Sequence, residues 1–287
     1  MSRILCVMVL VFVYKEIKSQ EEIAKLDYAL WENMENTTIS DLNFRFNQKV
    51  STKVNVSMDY LKRDLDFFDR SELFPLTEID RFHQLQIGLH YGIDIEGKYR
   101  FEGAFKPTIS SSWTNSLSED DLLWNFSTSI SKIWLNKRQE ISQIKIGVLN
   151  DVLFGKPQII PLFAYTSQIG NRFFWEIGFP ESSVEFQFNE RNQLLLEYGY
   201  TGMYSNISNE LQIEDFGEVT DSKFIQNGSQ LALNYVFRLQ PNLTTFSRIG
   251  YQLGGDFEIQ DSAGNQLYDF GQGSSIFFSM GIMYNLK

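Results

Sequence analysis

Chemistry in this chain would have to come from few residues. The only histidines are His83 and His90, and the only cysteine is Cys6. No His-Glu-x-x-His pair, no Cys/His set with metal-ligand spacing and no Gly-x-x-x-x-Gly-Lys-Ser/Thr loop occurs. The Gly-x-Gly at Gly271–Gly273 is too short to cradle a phosphate. A hydrolase working on lipid from a strand would pair a Ser with a His, often as His-x-Ser. Here His83 is followed by Gln84-Leu85, and His90 by Tyr91-Gly92. His90 and Asp94 share one strand face but stand about 13 Å apart, too far for a base and its orienting acid. His90 therefore reads as a polar interior residue. The sequence points to no catalytic residue, no metal, no cofactor and no enzyme. A Ser reaching His83 or His90 in three dimensions would reopen the lipid-modifying alternative.

The remaining ionisable groups of interest are scattered, of both signs, on otherwise small polar faces. They are His90, Asp94, Arg100, Glu102, Lys106, Lys145, Arg172, Glu176, Glu197, Arg238 and Arg248. On the inner wall of a barrel such groups either line a pore and set its selectivity, or pair across the lumen and plug it. Both readings stand on sequence alone.

The elements that carry these residues are strands. From Leu85 to Ile95 every odd position is apolar and every even one is polar or glycine. Successive side chains of a strand point to opposite faces, so this segment has one apolar side. The same alternation marks Leu122–Ile130, Leu194–Tyr200, Leu231–Phe237 and Ile276–Leu286. The pattern predicts about twelve strands (10–14) over 40–60, 82–95, 98–111, 121–135, 140–150, 158–167, 172–179, 183–189, 192–206, 228–239, 242–259 and 274–286. The first is kept whole because its even positions from Leu42 to Tyr60 stay mostly apolar. Residues 20–39 form a short lead, where Ile23, Leu26, Leu30 and Met34 have weak helical spacing. The connections alternate long and short, the exception being 180–182. Long loops at one end and tight turns at the other is the plan of a transmembrane barrel.

Which face is apolar decides between a soluble and a membrane barrel. A soluble barrel hides its apolar face and covers the other with Lys, Glu and Asp. Here the polar face is rich in Gly, Ser, Asn, Gln and Thr, which suits a crowded lumen, and the apolar face is rich in Leu, Ile, Phe and Tyr, which suits lipid. Aromatics make up 15% of the chain, with 25 Phe and 13 Tyr, as expected for strands meeting an apolar phase. Tyr60, Trp113, Trp134, Tyr204 and Tyr284 stand near segment ends, where interfacial girdles form. In lipid every backbone group must pair internally, so the strands must close. The net charge of −11 excludes a nucleic-acid partner, which would need basic patches to meet phosphate.

Arg3 followed by the apolar run Ile4–Tyr14 is the layout of a signal peptide, with cleavage expected near Ser19–Gln20. Removal of residues 1–19 takes three of 25 basic and one of 36 acidic residues, for a net −13, and leaves no cysteine. The last segment, Ser275-Ile-Phe-Phe-Ser-Met-Gly-Ile-Met-Tyr-Asn-Leu-Lys287, resembles the C-terminal strand by which outer-membrane barrels are recognised for insertion, with Lys287 where that pattern ends in an aromatic. Phe173-Phe-Trp-Glu-Ile-Gly-Phe-Pro180, Val184-Glu-Phe-Gln-Phe188 and Tyr198-Gly-Tyr-Thr-Gly202 are similar to a family of outer-membrane barrels common in Bacteroidota that has no assigned activity. The resemblance implies an all-β, closed antiparallel transmembrane barrel over 40–287, located in the outer membrane. Its partners are then outer-membrane lipid and the barrel-insertion machinery. The resemblance assigns no role; the leading expectation for one is a passive channel for small solutes or a structural barrel. The alternatives are a lipid-modifying enzyme, or a secreted soluble barrel binding an apolar ligand.

Overall fold

The structure is a computed structural model that describes residues 21–34, 36–68, 79–135, 140–170, 172–208, 211–213 and 217–286. The expected signal segment, 1–19, lies outside the described residues. Among the described residues eighteen strands follow one another. The first nine are β1 (Glu21–Met34), β2 (Thr37–Lys49), β3 (Val54–Phe67), β4 (Arg81–Ile95), β5 (Tyr99–Ser111), β6 (Leu122–Leu135), β7 (Ile141–Asp151), β8 (Gln158–Ile169) and β9 (Phe173–Phe179). Then come β10 (Glu181–Gln187), β11 (Asn192–Asn206), β12 (Leu211–Ile213), β13 (Gly217–Val219), β14 (Lys223–Gln240), β15 (Leu243–Leu253), β16 (Phe257–Gln260), β17 (Gln266–Gly271) and β18 (Ser275–Leu286).

Fourteen strands close into one antiparallel ring, β1 to β11, then β14, β15, β18 and back to β1. The fold class expected from sequence is the one found, with two more strands than the twelve drawn. One comes from the supposed lead. Glu21–Met34 begins the barrel itself, because Leu26, Tyr28 and Leu30 sit at every second position and point outward while Lys25, Asp27 and Trp31 point inward. The other comes from 40–60, which is a hairpin and not one strand. Lys49 pairs with Asn55 around the turn 50–53, so even positions stay on the same face on both arms and the alternation runs through the turn unbroken. Strand β3 also runs on to Phe67, into what reads as a loop from sequence. At the far end, 242–259 is broken at 254–256 into β15 and β16, and Gln266–Gly271, not among the twelve expected strands, forms β17, paired with β16 as a hairpin.

The two ends of the ring differ. One carries the short connections from β2 to β3, β4 to β5, β6 to β7, β8 to β9, β10 to β11 and β14 to β15. In the turn 96–98, Glu96 and Gly97 both adopt left-handed φ, 52° and 64°, the geometry that joins twisted strands tightly and that glycine adopts without strain. The other end carries the longer connections from β3 to β4, β5 to β6, β7 to β8, β11 to β14 and β15 to β18, together with the short ones from β1 to β2 and β9 to β10. The barrel's first and last residue pair, Glu21 with Leu286, lies at the turn end.

Candidate functional site

The two faces of the wall have opposite chemistry. Outward positions form a continuous exposed apolar belt. On β4 it includes Ile87, Leu89 and Tyr91, on β6 Trp124, Phe126 and Ile130, on β14 Leu231, Leu233 and Tyr235, and on β18 Ile276, Phe278, Met280 and Ile282. Leu89 is 52% exposed and Ile146 57%, values that a soluble protein does not repeat around its whole circumference. Inward positions are mostly polar and enclose a cavity of about 720 Å³, lined among others by Arg45, Asp59, Gln86, Glu197, Asn234 and Arg248. A second chamber of about 550 Å³ lies toward the turn end, around His90, Arg100, Glu102 and Lys145.

The lumen does not run open from end to end. At the loop end, eighteen buried apolar residues form one cluster inside the ring. Phe82 of β4 and Phe224 of β14, six strands apart around the ring, stack with centroids 4.5 Å apart. The stack continues through Phe257 on β16 to Phe270 on β17 and Phe67 on β3. The β16–β17 hairpin thus folds inward over the mouth and supplies Phe257, Ile259, Leu267 and Phe270 to its closure. Beside it the ring is pinched. Asn206 of β11 pairs with Ser111 of β5, also six strands away, and the Oγ atoms of Ser110 and Ser205 meet at 2.5 Å. Lys223 Nζ donates to Asn206 Oδ1 at 2.8 Å, and Asn206 Nδ2 to Asp121 Oδ1 at 2.8 Å, which fastens the 112–121 loop to the pinch.

Directly below the plug lies a buried ion pair between the adjacent strands β2 and β3, and its arginine also reaches across to the opposite wall. Arg63 on β3 donates from Nε and Nη2 to the two Asp41 oxygens at 2.8 and 2.6 Å, and from Nη1 to Gln226 on β14 and to Met203 Sδ on β11. Its guanidinium also lies 5.5 Å from the Trp31 ring. Two-point pairing with a carboxylate, plus acceptors for the remaining nitrogens, is the arrangement that lets a guanidinium stay buried.

The residues singled out from sequence fall into several groups. Glu102 receives both Arg100 Nε at 3.1 Å and Lys145 Nζ at 2.7 Å, and Arg100 also faces Asp94 at 3.6 Å. Glu197 accepts from Asn234 and lies 3.8 Å from Arg248, whose guanidinium rests 5.0 Å over the Phe277 ring. Glu176 accepts from Thr166 at 2.9 Å. Lys106 lines a smaller side chamber of about 310 Å³. Arg238 sits near the turn end of β14, on the inward register. Arg172 lies in the turn between β8 and β9, with its side chain exposed. His90 and Asp94 are not joined. His90 Nε2 instead meets Ser57 Oγ at 3.1 Å, across Gly88, where a Cβ would stand 2.3 Å from that oxygen. The Ser–His approach that the enzyme alternative needs therefore exists, but it faces the lumen and not lipid, and no carboxylate hydrogen bond to His90 is found among the described residues. Nor is any group of three His, Cys, Asp or Glu side chains there arranged to hold a metal ion. Sequence reading missed the Asp41–Arg63 pair and the inward pairs Lys25–Asp27 and Arg45–Asp59, because they lie on strands read as a lead, as one strand or as a loop.

Comparison with known proteins gives the family. A profile for a domain of unknown function, DUF6268, matches residues 31–285, and the chain belongs to that family. No curated protein sequence matches the chain. Among solved structures, the NanC porin is 7% identical over 92% of this chain and 100% of its own, with a TM-score of 0.46. An outer membrane channel from Pseudomonas putida F1 is 9% identical over 96% and 98%, with a TM-score of 0.42. The outer membrane phospholipase A of Escherichia coli is 8% identical over 95% and 94%, with a TM-score of 0.36.

Proposed function

We propose that this member of the family is an outer-membrane β-barrel of the kind resembled in sequence, and that it serves as a channel for small polar solutes held shut at its loop end. The single observation that carries the membrane reading is the inversion of polarity: an exposed apolar belt outside and paired charges inside. In hydrocarbon such a belt is favourable, and the closed ring leaves no unpaired strand edge. In water the same belt would be a large aggregation surface. The polar chambers of about 720 and 550 Å³ support passage of small solutes once the plug moves. The hairpin that completes the plug is suited to moving. Its strand pairing to the ring is limited to β14, where Phe257–Gln260 run against Lys223–Gln226; the rest of its hold on the mouth is side-chain packing, and its feet are adjacent, Gly255 N donating to Gln272 O at 2.7 Å.

The test is conductance in a planar bilayer. The wild type is expected to insert and stay mostly silent. A variant in which a two-glycine turn replaces residues 256–271 is expected to give steady ohmic steps. A hairpin-less variant that inserts, migrates as a folded barrel on unheated gels and still passes no current would reject the channel in favour of a structural barrel.

A further inference from the structure

We propose that an outward-facing square of Lys62, His83, Asp64 and Arg81 binds the phosphate of a lipid headgroup in the leaflet around the loop end. The proposal rests on the membrane reading above. In the β3–β4 ladder Lys62 stands opposite His83, and Asp64 opposite Arg81. All four point to the outer face, one step beyond Tyr60 and Leu85, the last apolar outward residues of these two strands. That is the layer where phosphates sit, immediately outside the hydrocarbon.

The charges do not balance within the square. Lys62 Nζ and Arg81 Nε donate to the same carboxylate, Asp64, at 2.7 and 2.6 Å, so two cations share one anion. The Lys62 and Arg81 side chains are 31% and 51% exposed, open to a ligand from the lipid side. The carboxylates Asp66 and Asp80 lie farther from the belt, toward water, and leave the phosphate level to the cations. Among the described residues, the only other cations on outward positions of the fourteen strands are Lys132, at the opposite border, and Lys223, which is buried. The cationic pair is therefore a local feature of this wall and not a general trim of the rim.

A rigid aromatic wall flanks it. His83 stacks on Trp113 with centroids 4.6 Å apart and planes 14° apart, and its Nδ1 is hydrogen-bonded to Tyr60 OH at 2.8 Å. That bond leaves Nε2 as the free edge of the ring. A phosphate set against Arg81, Lys62 and this edge receives charge-assisted hydrogen bonds in a fixed geometry. Its acyl chains would continue down the belt over Leu85, Ile87 and Met58, which is why a lipid, and not free phosphate, is the expected occupant.

Native mass spectrometry of the purified chain in detergent tests this, with a bis-phosphorylated, acylated glucosamine disaccharide as the probe. The wild type is expected to retain one probe molecule, and a Lys62→Gln/Arg81→Gln variant about tenfold less. Lys132→Gln should retain as much as wild type, a phosphate-free analogue should be lost, and equimolar inorganic phosphate should not displace the probe. Equal retention by the double variant, equal retention of the phosphate-free analogue or displacement by inorganic phosphate would each overturn the site. A wild-type chain that stays soluble in buffer and carries no detergent would instead overturn the membrane reading on which the site depends.

Discussion

Replacing Arg63 by alanine leaves the Asp41 carboxylate with no counter-charge at a place where its side chain is 4% exposed. The two short bonds from Nε and Nη2 vanish together, and so do the links to Gln226 and Met203 on the opposite wall. Stripping one partner from a buried pair costs about 3–5 kcal/mol. A net loss of about 3–5 kcal/mol is therefore expected, the lost bond to Gln226 included. Removing both charges gives a different result. Asp41→Leu with Arg63→Met fills similar volume without a buried ion, and should return to within about 2 kcal/mol of wild type. The coupling between the two positions then exceeds about 2 kcal/mol, well above the additivity error of independent sites. The assay is urea unfolding from lipid vesicles, followed by tryptophan emission, for wild type, both single variants and the double. A cost below about 1 kcal/mol for Arg63→Ala would refute the reasoning, because it would mean the pair is hydrated and spans no closed section of the lumen. A double variant as damaged as the worse single would refute it too, since no stranded charge remains there to explain the loss.

Leu89→Arg, in the middle of the outward residues of β4, should cost about 2–4 kcal/mol in a bilayer, and His90→Arg much less; brominated lipid should quench a probe at Leu89 and spare one at His90. A cysteine at Ala263, in the tip between β16 and β17, should react with an impermeant maleimide on whole cells, and one at Lys98, in a turn at the opposite end, should not; the reverse pattern would invert the orientation. Two hydrogen bonds from Asn265 hold the Asp261 carboxyl below its ordinary value near 3.8, so they stabilise the hairpin tip above that pH and are lost as pH falls through the depressed pKa. The protection of the Asn265 amide relative to its intrinsic exchange rate should accordingly fall as pH drops through that depressed pKa, and protection unchanged after the carboxyl is protonated would count against the bond. Fluorophosphonate should leave Ser57 unlabelled despite its contact with His90, because among the described residues no carboxylate hydrogen-bonds that histidine; stoichiometric labelling lost in His90→Ala would revive the hydrolase alternative.

What the sequence made legible was set by a periodicity of two, and its blind spots follow from the same rule. Alternation reports which face a residue occupies, so the outward belt and most of the inward charges could be read directly. It does not report where one strand stops and the next begins when a turn preserves parity. In the β2–β3 hairpin Lys49 pairs with Asn55, even positions face even positions, and Leu42 to Tyr60 looks like one long strand. That slip put the end of β3 into a supposed loop and took Arg63 off the wall. Strand β1 was hidden differently: Leu26 and Leu30 fit a helical spacing as well as a strand, and only the register with β2 and β18 decides between them. The plug was beyond reach for a further reason. Phe82, Phe224 and Phe257 are apolar residues on inward positions, where alternation assigns polar ones. Phe82 is the one apolar exception on the inward face of β4, Phe224 shares that of β14 with Ala232 and Val236, and Phe257 opens the short alternation of β16; no such position carries an address in the sequence. Only the closed ring shows that the exceptions from β4, β14 and β16 arrive at one level and meet. The lumen can therefore be polar along most of its length and still be sealed, because a few aromatic rings from opposite walls suffice once the ring has fixed their height.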